Sequence, residues 1–185
     1  MSHSPEDSFF KAAPVERLHL VGNLVGSTAL KQIDAGQELV WQERRVLAGR
    51  LEEGLDFTQI ARKVAQRSPK GVRRAFVFPL IKRLGARNFT GVPRIALANG
   101  LLDMGEPEDG PIVIRKRREI LELLSYGASV GEIAQATGIS TTQVRRHIHT
   151  LLGELEAKNE EQLVMRGFKT GNISLSESYL PTAED

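Results

Sequence analysis

Apolar residues recur at helical spacing between Gly127 and Leu155. The repeating side chains are those of Val144, Ile148, Leu151, Leu152 and Leu155. They form one apolar stripe and predict a helix. Ile133 and Ala134 predict the buried face of a shorter helix just before it. Gly138 can adopt the left-handed backbone of a sharp turn without steric cost, and Ser140 can cap the second helix.

The spacing of small and apolar residues in this stretch is typical of a helix-turn-helix. Ala134 allows the two helices to approach, Gly138 makes the turn four residues later, and Val144 packs the second helix onto the first. The opposite face of the second helix carries hydrogen-bonding or cationic groups, which could reach DNA. These are Thr141, Thr142, Gln143, Arg145, Arg146, His147 and His149.

The N-terminal half also has helical periodicity. Short helices are expected over residues 14–25 and 27–36, and a stronger one over 37–51 that ends at Gly54. The next stretch resembles the helix-turn-helix segment. Ile60-Ala61 corresponds to Ile133-Ala134, Val72-Arg73-Arg74 to Val144-Arg145-Arg146, Phe76 to Ile148, and Leu84-Gly85-Ala86 to Leu155-Glu156-Ala157.

An internal duplication with small insertions in the first copy explains this correspondence, and chance similarity of amphipathic helices is the alternative. The first copy differs in its turn, which is one residue longer. Pro69 can begin its second helix, and Pro79 is expected to break or kink that helix two turns later.

The predicted fold class is all-α, with two tandem helical units of helix-turn-helix type and an N-terminal helical extension. Residues 104–114 hold two prolines and two glycines and predict a linker. The expected organisation is a disordered start at 1–13, an N-terminal unit at 14–103, the linker at 104–114, a DNA-binding domain at 115–168 and a disordered tail at 169–185.

The distribution of charge strengthens the nucleic-acid hypothesis, although the net charge is only +2. Between Arg62 and Arg94 there are ten basic residues and no acidic residue. Such a segment suits phosphate binding, because counterion release supplies most non-specific affinity for DNA. Lys70, Arg73 and Arg74 are its candidate contacts. A solvated basic face is the alternative. A second basic cluster occupies 115–118.

Composition narrows the classes further. The 185 residues include no cysteine, which fits a reducing cytoplasm, and neither a signal peptide nor a membrane span is predicted. His147 and His149 are two residues apart on a helix and therefore make a poor metal pair. No catalytic motif is present, so neither an enzyme nor a cofactor or metal site is expected.

The second unit resembles the four-helix DNA-binding domain of LuxR/FixJ/NarL-type transcription regulators. The matching features are the Arg-Glu-Ile-Leu-x-Leu-Leu run at 118–124, Gly127, Glu-Ile-Ala at 132–134, Gly138-Ile139-Ser140, Val144, His147 and Leu-x-Ala at 155–157. The chain departs from the family where Leu-Glu-Ala replaces the usual Leu-Gly-Val. The resemblance implies base contacts by Arg145, Arg146 and His149, and phosphate contacts by Thr141, Thr142 and His147. It also implies that Leu163-Val164 begins a helix used for dimerisation.

The predicted function is sequence-specific binding of double-stranded DNA by a transcription regulator. Its major-groove recognition helix would span about 140–155, and the basic unit at 62–94 would add backbone contact or dimerisation. Expected partners are a homodimer or partner regulator and RNA polymerase, and the expected location is the cytoplasm, at the nucleoid. The alternative is a helical adaptor or anti-activator that binds another regulator, which the acidic run at 154–161 allows. RNA binding is less favoured because no exposed aromatic platform is predicted.

Overall fold

A computed structural model of the chain describes residues 39–65 and 68–175. Within these residues there are helices and no strand, which confirms the predicted all-α class, and no helix there is long and apolar enough to cross a membrane. The region 1–13 and the helices predicted at 14–25 and 27–36 lie outside the described residues. The helices are α1 (Trp41–Leu51), α2 (Phe57–Ile60), α3 (Pro69–Val72), α4 (Phe78–Leu84), α5 (Val92–Ala98), α6 (Arg115–Ser125), α7 (Val130–Thr137), α8 (Thr141–Glu154) and α9 (Glu160–Lys169).

The C-terminal unit is a bundle of α6, α7, α8 and α9. Its first three helices pack on one another, and α9 packs on α6 and α8. The predicted apolar stripe of α8 is buried at Val144, Ile148, Leu151 and Leu155, while Leu152 is half-buried. Gly138 ends α7 with a φ of 67°, as the turn prediction requires. Burial of this stripe fixes which face of α8 remains in solvent.

After α1, the N-terminal half continues with two helices whose first turns are capped by side chains. Asp56 caps α2, accepting a hydrogen bond of 2.8 Å from the backbone N–H of Gln59, and a π-helical turn at Ala61–Ala65 continues that helix. Ser68 caps α3, and Pro69 occupies the first turn as predicted, where its missing N–H costs nothing. In the C-terminal unit, Ser129 caps α7 and Ser140 caps α8 in the same way.

The helix does not break at Pro79, although a break was one of the two outcomes predicted for this proline. Residues 69–84 form one continuous helical segment, because a π-helical turn at Arg73–Val77 joins α3 to α4. In that turn the N–H of Phe78 donates to the carbonyl of Arg73, five residues earlier. The wider turn shifts the hydrogen-bond pattern just before the proline, so the pyrrolidine ring is accommodated without ending the helix. Val77 is buried in this segment, whereas Phe76, which the sequence pattern matched to Ile148, is only half-buried.

The two halves pack together around α9. This helix contacts α1 and α5 of the N-terminal half as well as α6 and α8 of its own unit. Arg94 on α5 is buried and donates to Glu122 at 2.8 Å, to Ser125 at 2.9 Å and to the hydroxyl of Tyr126 at 2.6 Å. Its guanidinium therefore joins α5 to α6 through three polar contacts in a site that excludes water.

The segment that joins the halves has no regular secondary structure over residues 103–114, and it packs along the C-terminal unit. Val113 is buried, and its N–H donates to Asn172 at 2.8 Å. Glu108 pairs with Lys169 at 3.0 Å. The predicted start of a disordered tail at 169 was wrong for the first residues after α9, because Asn172 and Ile173 are buried. Residues 176–185 lie outside the described part of the chain.

Candidate nucleic-acid interface

The start of α8 is built to present backbone N–H groups to solvent. Ser140 accepts a hydrogen bond of 3.2 Å from the N–H of Gln143, and the amide oxygen of Gln143 accepts one of 2.9 Å from the N–H of Ser140. This reciprocal cap leaves the first N–H groups of the helix, at Thr141 and Thr142, without acceptors inside the helix. The positive end of the helix dipole adds to their attraction for an anion.

The predicted DNA-facing side chains of α8 mostly lie in solvent. Thr141, Thr142, Gln143, Arg145, Arg146 and His149 are exposed, whereas His147 is half-buried. Gln143 is only partly available because its amide oxygen serves the cap. Arg145 and Arg146 form no ion pair with any carboxylate among the described residues. Their guanidinium groups are therefore free to meet an anionic partner.

The basic cluster at 115–118 contributes less to this surface than its sequence indicates. The ammonium of Lys116 donates to the carbonyl of Thr137 at 2.8 Å and pairs with Glu119 at 3.2 Å. Arg117 pairs with Glu154 at 2.7 Å. These two cations stabilise contacts among α6, α7 and α8.

The cations of the basic segment at 62–94 differ in whether they form ion pairs. Four of its cations are paired with carboxylates from outside the segment: Lys63 with Glu53, Arg83 with Glu43, Arg87 with Glu132, and Arg94 with Glu122. The sequence of the segment did not predict these pairs, because their carboxylates come from other parts of the chain. A basic surface drawn from all ten cations was therefore too large.

The unpaired group surrounds the start of the 69–84 helical segment. Lys70, Arg73 and Arg74 are exposed, and Arg73 also lies over the ring of Phe57 at 4.6 Å. Together with Pro69 and Phe78 they line an open groove of about 720 Å³. Phe78 is 61% exposed.

The sequence predicted no aromatic platform for stacking bases, and the groove contains the single exposed ring of Phe78 beside its cations. Phe78 follows Arg74 by four residues, which is the spacing of neighbours on one helix face.

Two carboxylates at the junction of the halves have shifted pKa values. Burial raises the pKa of Glu160, the neighbouring charge of Glu161 adds to the increase, and Thr90 and Arg50 oppose it. Burial also acts to raise the pKa of Glu132, but hydrogen bonds from Ser129 and Arg87 outweigh it and lower that pKa. Ionised Glu132 is thus favoured at the contact that joins Arg87 to the start of α7.

Within the residues that the structure describes, no group of three or more His, Cys, Asp or Glu side chains could hold a metal ion. The surface has instead the chemistry of hydroxyl, amide and guanidinium donors. Such donors recognise phosphate oxygens and base edges.

The turn, the caps and the buried stripe define the C-terminal unit as a helix-turn-helix. Residues 115–166 match the family model described as bacterial regulatory proteins, luxR family. The chain is 31% identical over 70 residues to the spore germination protein GerE of Bacillus subtilis (strain 168), an alignment of 38% of this chain and 95% of GerE. The chain therefore belongs to the luxR family of bacterial regulatory proteins.

A second relative extends this likeness. Over 50 residues the chain is 44% identical to YhjB of Escherichia coli (strain K12), whose name describes an HTH-type transcriptional regulator. That alignment covers 27% of this chain and 25% of YhjB, so the chain matches about a quarter of the length of that relative. No solved structure matched significantly. The family model identifies residues 115–166 as a regulatory domain.

Proposed function

We propose that this chain regulates transcription by binding double-stranded DNA with α8 in the major groove. The observation that carries the proposal is the pair Arg145 and Arg146, exposed and without carboxylate partners within the described residues, on a helix whose other face is buried. A helix held in this way presents its side chains at a fixed angle. Precise presentation is what base recognition in the groove requires.

The side chains at the start of α8 divide by their chemistry. Arg145, Arg146 and His149 are assigned to base edges, since a guanidinium can donate two hydrogen bonds to O6 and N7 of guanine. Thr141 and Thr142, with the backbone N–H groups at the helix start, are assigned to phosphates. His147 is half-buried and is assigned to phosphate at the edge of the contact.

The N-terminal half is proposed to be a diverged copy of the same unit. Corresponding positions have nearly the same exposure: 0% for Ile60 and Ile133, 0% for Val72 and Val144, 3% and 5% for Val77 and Ile148, 0% for Leu80 and Leu151, and 3% and 2% for Leu84 and Leu155. The capping residues Asp56 and Ser68 correspond to Ser129 and Ser140.

The two insertions in the first copy support the duplication further. One extra residue lies between Ile60 and Ser68, the other between Val72 and Val77, and each of these intervals contains a π-helical turn. A π-turn adds one residue to a helix without breaking it, and the register of buried positions resumes afterwards. Insertions into a common ancestor explain this pattern better than independent origins.

This copy is proposed to hold the DNA backbone. Lys70, Arg73 and Arg74 are exposed at the start of the helical segment that corresponds to α8. Lysine and arginine side chains bind phosphates regardless of sequence, so this contact would add affinity and little specificity.

The adaptor hypothesis loses the feature on which it depended. Two carboxylates of the acidic run at 154–161 already pair within the chain: Glu154 with Arg117, and Glu161 with Arg50. The run is therefore not a free acidic surface for another regulator. Binding to RNA polymerase or to a partner regulator stays a prediction.

Selection of bound sequences from random duplex DNA, followed by fluorescence anisotropy, tests the proposal. We expect the full chain to enrich a motif, and Arg145→Ala to weaken binding to it by about 1–3 kcal/mol and to relax its sequence preference. Arg166→Ala is the matched control, because it removes one positive charge from α9 rather than α8. No enrichment, together with no binding at low salt, would contradict the proposal.

A further inference from the structure

The face that α9 would offer to another chain is already occupied. All of its ten residues are buried or half-buried, and the fully buried ones include Leu163, Val164, Met165 and Phe168. Its neighbours are α6 and α8 on one side and α1 and α5 on the other. No exposed apolar face of this helix remains for a second copy.

We propose that the N-terminal half is a built-in partner of the C-terminal unit, so that a single chain, and not a homodimer formed through α9, is the DNA-binding assembly. The claim that a single chain is the DNA-binding assembly rests on the proposed function. The claim that the two halves are permanent partners can be tested without DNA.

The polar contacts between the halves are complementary in charge. In each of three ion pairs the N-terminal half supplies arginine and the C-terminal unit supplies glutamate: Arg50 with Glu161, Arg87 with Glu132, and Arg94 with Glu122. The three pairs reach α9, α7 and α6, respectively. The halves are therefore held at several separated points, which opposes rotation of one against the other.

Hydrogen bonds between uncharged groups also join the two halves. The amide of Gln162 donates to the carbonyl of Glu52 at 2.9 Å, and that of Asn88 donates to the carbonyl of Gly127 at 3.0 Å. At Gly91 an added Cβ would lie 3.3 Å from the backbone of Gly127. Such close backbone approach and satisfied part-buried carbonyls are properties of a permanent interface rather than of a surface that lacks its partner.

The correspondence between the units adds an independent argument. Helix α5 follows the 69–84 segment as α9 follows α8, and α5 and α9 contact each other. The two units thus meet through corresponding helices, as two copies related by a twofold axis would. Because the units differ in sequence, the resulting pair is asymmetric, and so is the DNA site that it would bind.

Sedimentation equilibrium and hydrogen exchange of the full chain test the first clause. We expect the mass of one chain, and protection of the α9 amides that stays unchanged over about a 100-fold dilution, because an intramolecular contact does not depend on concentration. A mass of two chains, with α9 protection that falls on dilution, would overturn the proposal.

Two interface variants and one control make the exchange experiment specific. Arg94→Gln should raise α9 exchange rates about tenfold or more by removing the buried guanidinium that pairs with Glu122. Arg50→Gln should have a smaller effect at the more exposed Glu161 pair, and it keeps the test informative if Arg94→Gln does not fold. Arg146→Gln removes a charge from α8 and should leave α9 exchange unchanged. Unchanged exchange in both interface variants would overturn the assigned contacts.

A stoichiometric titration of a selected duplex tests the second clause. One chain per bound site is expected, and two chains per site would overturn the single-chain assembly. If the chain binds no DNA, the proposed function fails, while the mass and exchange results still decide whether the halves are built-in partners.

Discussion

Helix α8 and the 69–84 segment, which we propose to be copies of one unit, present different chemistry to solvent. Segment 127–155 turns once at Gly138 and then continues as a regular α-helix with threonine, glutamine, arginine and histidine on its outer face. Segment 69–84 contains a π-turn, and its outer face carries Lys70, Arg73, Arg74 and the exposed ring of Phe78. Similar buried positions therefore support an outer face with several kinds of hydrogen-bond donor in α8 and a mainly cationic outer face in the 69–84 segment.

Under the proposed duplication, the buried positions of the two units have changed less than their exposed surfaces. The buried positions constrain one another through packing, so they keep their type, whereas exposed positions change at little cost in stability. Insertions survive where a π-turn can absorb them. The predictions below test first the buried positions of the two units and then their exposed surfaces.

The largest effect is expected from truncating the corresponding core residues Ile60 and Ile133. Both side chains are fully buried, so Ile60→Ala and Ile133→Ala should each lower the free energy of unfolding by about 2–5 kcal/mol through lost burial and a residual cavity. Urea denaturation followed by circular dichroism measures both. Val40→Ala, at an exposed position, is the control. A cost at Ile60 near that of the control would break the proposed correspondence of the two units.

A smaller effect, confined to DNA binding, should separate the two surfaces. Arg146→Ala should weaken binding to a selected site by about 1–3 kcal/mol and much less to random DNA. Arg74→Ala should weaken binding to both DNAs alike and reduce the slope of log affinity against log salt by about 1. Anisotropy titrations at several salt concentrations provide the measurement. If the two variants behaved identically, the assignment of base contacts to α8 and of phosphate contacts to the 69–84 segment would be wrong.

The smallest effect is expected from two glutamates at the junction of the halves, with opposite signs. The pKa of Glu160 is raised in the folded chain, so its charge opposes folding at neutral pH, and stability is gained as the pH falls through that value. Glu160→Gln should therefore raise the free energy of unfolding near neutral pH.

The pKa of Glu132 is lowered, so its charge stabilises the fold above its unfolded pKa, and this is lost as the pH falls through the folded value. Glu132→Gln should lower stability near neutral pH, and both differences should shrink at acid pH. Urea unfolding at about pH 7 and about pH 3.5 tests this. Shifts of the same sign in both variants would contradict the assigned environments.

Local pattern was sufficient for the C-terminal unit. Gly138, Ser140 and the stripe from Val144 to Leu155 act through neighbours within a few residues, so their roles could be predicted before any packing was known. The same holds for Pro69 at the start of α3. The π-turn that precedes Pro79 and lets the helix continue was not predicted from the local sequence.

The candidate surface was only partly predictable. Exposure of Arg145 and Arg146 follows from helical periodicity once the buried stripe is known. The charge state of the basic segment does not, because Arg87 and Arg94 find their carboxylates on Glu132 and Glu122, far along the chain. A count of like charges within a window cannot identify partners that folding brings from outside it.

The sequence by itself determined the class of this protein: an all-α chain with a helix-turn-helix whose turn, cap and buried stripe are encoded at short range. Only the tertiary structure decided that α9 is covered by α1 and α5, and that Arg94 joins the halves instead of facing solvent. The physical reason is range. Helical spacing and capping operate within a turn or two, whereas burial of a helix face and pairing of a charge depend on which distant segments arrive beside it.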